Sequence, residues 1–176
     1  MKTNKLFIGL VFAVSLTVLK ADVQLPSVFS ENMVLQQGVS VPVWGWADRN
    51  EQVTVIFQGQ RVTTRAKDGK WMVRLKNLTT STQPQIFIVD GKNRIKYTNV
   101  LVGEVWLASG QSNTEFPLNH SYEATNDIQN AYNPMIRLYT VPKTKSDKPL
   151  DDVKSEWVEC TPQTVASFSA VAYYFG

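Results

Sequence analysis

The sequence predicts a mixed fold, an N-terminal antiparallel β-sandwich followed by the start of an α/β domain. Three observations carry this. Residues 23 to about 98 consist of short alternating runs broken by turn residues, residues 100–108 form a nearly continuous apolar run, and beyond them strand-like and helix-like periodicities alternate. Of the 176 residues, 43% are apolar and 19% charged, a globular composition that supports one good core or two small ones.

The chain opens with MKTNKLFIGLVFAVSLTVLKA. Lys2 and Lys5 precede an apolar stretch from Leu6 to Leu19, and Ala21 offers a small residue at a cleavage point. This is the pattern of a secretory signal, and the stretch is short for a membrane span. Leu19 departs from it, because a smaller residue is usual there. The expected product is therefore secreted or periplasmic, begins near Asp22, and has no membrane attachment after cleavage. The formal charge of +3 resides in this segment, since losing Lys2, Lys5 and Lys20 takes it to zero. The remainder has no basic stripe with interleaved aromatics, which argues against a nucleic-acid partner. The single cysteine, Cys160, has no internal disulfide partner and reads as a small buried or semi-buried apolar residue.

Residues 22–98 form the expected sandwich domain. Its runs are SVPVWGWA at 40–47, QVTVIF at 52–57, RVTTRA at 61–66, KWMVRL at 70–75, QIFIVD at 85–90 and RIKYT at 94–98. Turns fall at Gln58-Gly59-Gln60, Lys67-Asp68-Gly69 and Asp90-Gly91-Lys92. Period-two alternation puts Val53, Val55 and Phe57 on one face, expected inward. Trp44, Trp46 and Trp71 suit either a core or a sugar-stacking platform, and tryptophans in small sandwiches are more often core.

Residues 99–176 form the expected α/β segment. VLVGEVWLA at 100–108 reads as a central parallel strand of a separate sheet. YEATNDIQNA at 122–131 reads as a helix, MIRLYTV at 135–141 as a second strand and 142–156 as a polar loop. In FSAVAYYFG, Phe168, Val171, Ala172 and Phe175 fall at helical spacing. Two parallel strands cannot cover these apolar faces, so the sequence is expected to be the N-terminal portion of a longer protein.

Between the apolar run and the first helix lies SGQSNTEFPL at 109–118. Small polar residues and glycine are ordinary turn formers. A serine at the carboxyl end of a buried parallel strand also sits where α/β ligands bind, with its hydroxyl exposed and its N–H able to meet an oxyanion. Gly110 would supply the backbone freedom of a tight turn. The stretch is not a Gly-x-Ser-x-Gly elbow, because Asn113 and Thr114 follow Ser112.

Five stretches taken in order resemble the sialate O-acetylesterase family of carbohydrate esterases: LPSVFSENMVLQ at 25–36, VPVWGWA at 41–47, VLVGEVWLASGQSNTEFPL at 100–118, NPMIRLYTVP at 133–142 and FSAVAYYFG at 168–176. The resemblance implies an SGNH-hydrolase-like, flavodoxin-like α/β domain and deacetylation of an O-acetylated sugar, either a sialic acid or a plant polysaccharide, without a cofactor. It implies Ser112 as nucleophile, with Gly110, Gln111 and Asn113 shaping the turn and the oxyanion hole. Asn113 is expected to hold the turn through side-chain bonds. Thr114 and Ala108 depart from the family, which usually has Met and often Cys there.

The family's later Asn-containing block and Asp-x-x-His block do not occur in these 176 residues. The sole histidine, His120, follows Ser112 by eight residues, about 12 Å along a helix and beyond hydrogen-bond reach, so it reads as a surface histidine. Asp127, Asp151 and Asp152 match no family motif. No metal-ligand cluster is evident. A second reading from a different class stays open, a secreted β-sandwich that binds glycans without reacting.

Mass spectrometry of the exported protein is expected to find an N-terminus near Asp22. An intact Met1 to Ala21 on a cytosolic product would refute export.

Overall fold

The computed structural model describes residues 22–176, so the signal-like segment lies outside the described residues. Alternation decides the first unit. Its strands are β1 (Val34–Gln36), β2 (Val41–Trp46), β3 (Gln52–Phe57), β4 (Gln60–Arg65), β5 (Lys70–Leu75), β6 (Ser81–Asp90) and β7 (Arg94–Gly103). Five of them form a sheet in the order β1-β7-β6-β3-β4, while β2 and β5 pair separately. All contacts between neighbours are antiparallel except β1 with β7, which is parallel. The result is a mixed, sheet-dominated fold.

Val53, Val55 and Phe57 point inward, as their spacing predicts. They meet Phe87, Val89, Val100 and Val102 from the same sheet and Val43, Trp71, Val73 and Leu75 from the β2–β5 pair. Phe57 and Phe87 pack with ring centroids 5.7 Å apart. The hairpin turns at Gln58-Gly59 and Asp68-Gly69 hold both central residues at positive φ, the backbone twist that matches two antiparallel strands. At Gly45 close approach is decisive, because a Cβ there would lie 2.0 Å from the Gln24 carbonyl oxygen that caps the neighbouring bridge.

The apolar run at 100–108 corrects the sequence reading. Val100 to Gly103 complete β7 inside the five-stranded sheet, and no separate parallel sheet begins there. Consecutive burial of Val100, Leu101 and Val102 does signify a strand covered on both faces. Its neighbours, however, are β1 and β6. Residues 104–108 form no strand and are exposed, so Val105 and Leu107 pair with nothing in either sheet.

The second unit holds a 3-10 turn at Ser112–Glu115, another at Leu118–His120, and the elements α1 (Ala124–Gln129), β8 (Asn133–Tyr139), β9 (Trp157–Cys160), α2 (Pro162–Val165) and α3 (Ala170–Phe175). The sequence reading expects parallel pairing here, whereas β8 pairs antiparallel with β9, a strand hidden behind the polar loop. Leu118, Ala124, Ala131, Leu138, Cys160, Val165 and Ala170 form its small core. α3 also departs from its expected face. Ser169 caps it by accepting from the Ala172 N–H at 3.1 Å, so Phe168 lies outside the helix and the phase shifts. Ala170 and Tyr173 turn inward with Phe168, while Val171 and Phe175 are exposed.

Arg137 of β8 joins the two units. Its side chain is only 2% exposed and faces Glu159 of β9 at 3.4 Å. Arg137 Nη2 also donates to Asn99 Oδ1 at 3.0 Å and Nη1 to the Asn32 carbonyl at 3.4 Å, both in the first unit. Asn99 in turn donates to Glu159 and to Asn32, each at 2.8 Å. Nearby, the Trp157 indole N–H donates to the Val28 carbonyl at 2.8 Å while its ring packs on the first core.

Phe87→Ala is expected to cost about 3–5 kcal/mol of stability, because it opens a cavity at the centre of the first core. Met72→Ala, on the outward face of β5, should stay within about 0.5 kcal/mol. Urea denaturation of both variants checks the assignment of inner and outer faces.

Candidate active site

The chain from β7 to the second core passes through residues 104–111 without regular structure. At its end Gln111 adopts an extended conformation and the 3-10 turn begins at Ser112. Backbone bonds close this turn: Thr114 N–H donates to the Gln111 carbonyl at 2.9 Å and Phe116 N–H to the Asn113 carbonyl at 3.2 Å. Among the described residues, no side-chain cap is added to these backbone bonds. Gly110 matters for space, since its φ is not left-handed and a Cβ there would meet Thr114 Oγ1 at 2.5 Å.

Ser112 is exposed, and among the described residues its hydroxyl has no hydrogen-bond partner. Its N–H opens the 3-10 turn, where a backbone donor has no acceptor within its own helix. The segment that follows is fixed to the second core. Leu118 N–H donates to the Phe168 carbonyl at 2.9 Å, Asn119 N–H to the Ala166 carbonyl at 2.9 Å and Ala170 N–H to the Phe116 carbonyl at 2.8 Å. Lys143, from the polar loop, pairs with Glu115 at the end of the turn.

His120 is exposed and its ring lies edge-on to Phe116 with centroids 6.0 Å apart. No hydrogen bond joins it to Ser112. The sequence-flagged aspartates are engaged elsewhere: Asp127 accepts from Tyr174 Oη at 2.6 Å, Asp151 pairs with Lys70 at 3.1 Å and Asp152 accepts from the Ser27 N–H at 2.8 Å. The bond to Asp127 pushes the Tyr174 phenol above its ordinary pKa. Among the described residues there is no group of three or more His, Cys, Asp or Glu placed to hold a metal.

Trp71 is core, and its indole N–H donates to the Trp46 carbonyl at 3.1 Å. Trp44 packs against that core with an edge contact to Phe29 at 4.7 Å. A different aromatic surface flanks the serine segment. Trp106 is 67% exposed, Leu107 87% and Phe175 65%, and the Trp106 and Phe175 rings meet edge-on at 5.1 Å. Sequence reasoning missed this pairing, and it also missed Gln36, which bonds the chain just after β7. Both Gln36 and Glu104 lie within stretches that carry the resemblance.

No family model matches the chain. It is similar to the sialate O-acetylesterase of Pongo abelii, 28% identical with 85% of this chain and 33% of the relative covered. The human sialate O-acetylesterase is 29% identical over the same shares of the two chains. Among solved structures, a carbohydrate acetylesterase from Xanthomonas citri superposes with a TM-score of 0.83 at 35% identity, covering 87% of this chain and 36% of that one. These curated relatives and the solved carbohydrate acetylesterase support the resemblance to the sialate O-acetylesterase family. The chain spans about a third of the length of the sialate O-acetylesterases it matches.

Cys160 is buried and its thiol donates to the Ala131 carbonyl at 3.2 Å; burial pushes its pKa up. Raising that pKa suppresses the thiolate, so iodoacetamide at mildly alkaline pH should label the native protein far more slowly than the urea-unfolded one. Equal rates in the two states would contradict the buried placement.

Proposed function

We propose that this chain contributes the nucleophile-bearing part of a carbohydrate O-acetylesterase, with Ser112 attacking the acetyl carbonyl of an O-acetylated sugar. The observation that carries the reading is the placement of Ser112. It stands exposed at the start of a 3-10 turn whose far side is tied by backbone bonds to the second core. Support also comes from the names of the relatives, which are sialate O-acetylesterases and a carbohydrate acetylesterase.

In this reading the Ser112 hydroxyl forms a bond to the acetyl carbon and its proton passes to a base. The carbonyl oxygen becomes an oxyanion that the Ser112 N–H meets, with Gly110, Gln111 and Asn113 shaping the turn around it. The tetrahedral species then expels the sugar oxygen, which is protonated as it leaves. Water repeats the sequence on the acetyl-serine and releases acetate. The base is a histidine other than His120, whose ring lies edge-on against Phe116. The finer architecture belongs to the same proposal: the two sheets of the first unit as an antiparallel-type sandwich, and the second unit as part of an SGNH-like domain. So does export of the protein to meet a carbohydrate substrate.

The second reading, a non-catalytic glycan-binding module, is favoured by one observation, the lack of any base bonded to Ser112 among the described residues. Acetate release separates the two. On an acetylated sialoside or an acetylated xylo-oligosaccharide, a form extended to the full length of its relatives should turn over, fall to background with Ser112→Ala, and be unaffected by His120→Ala. The 176-residue chain should be slower by about 10²–10⁴, the usual worth of a positioned general base. Turnover that survives Ser112→Ala would show the nucleophile to be another residue.

A further inference from the structure

We propose that Gln36 is a positioning residue for Ser112: its side-chain amide, with Gln37, clamps Glu104 and Val105 and sets the direction in which the serine segment leaves the sheet. This deepens the esterase reading and rests on it. β1 and β7 run parallel and in register, Val34 opposite Leu101, Leu35 opposite Val102 and Gln36 opposite Gly103. Both strands end at that last pair. Beyond it the chain to Ser112 has no regular structure, so whatever holds residues 104 and 105 fixes its exit angle.

Gln36 does this with both ends of its amide. Its Nε2 donates to Glu104 Oε2 at 2.9 Å and its Oε1 accepts from the Val105 N–H at 2.8 Å. Gln37 completes the clamp, its Nε2 donating to Glu104 Oε1 at 2.5 Å and its backbone N–H to the Gly103 carbonyl at 2.9 Å. Thr80 donates to Gln37 Oε1, and the Glu104 carboxylate, which only accepts, takes the nitrogen end of that amide. Glu104 is thus held by two amide donors, and the bonds, that from Gln37 foremost, draw its carboxyl below the ordinary value. Among the described residues these are the hydrogen bonds that tether the stretch between Gly103 and Gln111. The edge contact of Trp106 with Phe175 is its other hold.

The donor and acceptor pattern between positions 36 and 104 can be reversed, at the expense of the longer bond that Gln36 Nε2 also donates to the Gln37 carbonyl at 3.3 Å. In the double variant Q36E/E104Q, the new carboxylate at 36 accepts from the Val105 N–H and from the new amide at 104. That amide's oxygen still accepts from Gln37. Each single variant breaks the pattern, Q36E by setting two carboxylates face to face and E104Q by opposing two amide donors.

The test is a set of ¹H–¹⁵N spectra and amide-exchange rates on the 176-residue protein and on Q36A, Q36E and Q36E/E104Q, with thermal melts as a control for folding. Expected are about tenfold faster exchange at the Val105 N–H in Q36A and Q36E, shifted Gln111, Ser112 and Asn113 resonances, and unchanged Phe87 and Val89 resonances. The double variant should restore both the exchange rate and the resonances. If Val105 exchange accelerates while residues 111–113 stay in place, or if the double variant leaves them displaced, the proposal is wrong. Acetate release in the extended form adds a separate reading: Q36A should lower kcat with KM retained, recovering in the double variant. An unsubstituted extended form that releases no acetate would defeat the esterase reading, and the spectra would still decide the clamp.

Discussion

A guanidinium placed between two small cores has to be satisfied where it sits, and Arg137 is satisfied from both sides. Burial pulls its pKa down against the opposing charges of Glu159 and Glu31, yet arginine stays a cation in proteins. It therefore requires acceptors, and these come from Asn32 and Asn99 of the first unit and from Pro134 and Glu159 of the second. Asn32 adopts φ 65 to present its carbonyl there, a left-handed conformation that Asn tolerates better than most residues. Removing Arg137 would leave the Asn99 and Glu159 groups without this shared donor, so the junction holds together as a network and not as a sum of contacts.

That junction has consequences for the serine segment. Ser112 lies between two anchors, the end of β7 in the first unit and the Phe116 to Asn119 stretch, which is bonded to residues 166–170 in the second. Its position is therefore defined only if the two units keep their relative placement, and Arg137 and Trp157 provide that. Apolar side chains at Trp106, Leu107 and Phe175 stand beside this path with much of their surface open. In the proposed reading the reacting hydroxyl is held by the scaffold at two ends while the proton acceptor comes from elsewhere.

The alternation in QVTVIF and KWMVRL was legible because a period of two leaves one answer once a face is buried. The run VLVGEVWLA was legible as buried but not as to where. Its first part is covered as part of β7, whereas Glu104 to Ala108 leave the sheet, and hydropathy cannot register the turn of chain between them. β9 was illegible, because four residues after a polar loop carry too little periodicity. In α3 the spacing from Phe168 suggests a helix face, whereas the helix starts at Ala170, after the Ser169 cap. At the candidate site, Ser112 could be singled out from its motif. The Gln36 contact could not, since it joins positions far apart in sequence through side-chain amides that look like ordinary surface residues.

The central claim, that Ser112 carries the reacting hydroxyl, is tested most directly by trapping the covalent species. A form extended to the length of the relatives would be mixed with an O-acetylated sugar, quenched in acid during turnover, and digested for peptide mass spectrometry. The account predicts a single acetyl group on the peptide containing Ser112, assigned by fragmentation to that residue and absent from a control without substrate. An acetyl group on another residue, or brisk acetate release with no acylated serine at any quench time, would contradict it.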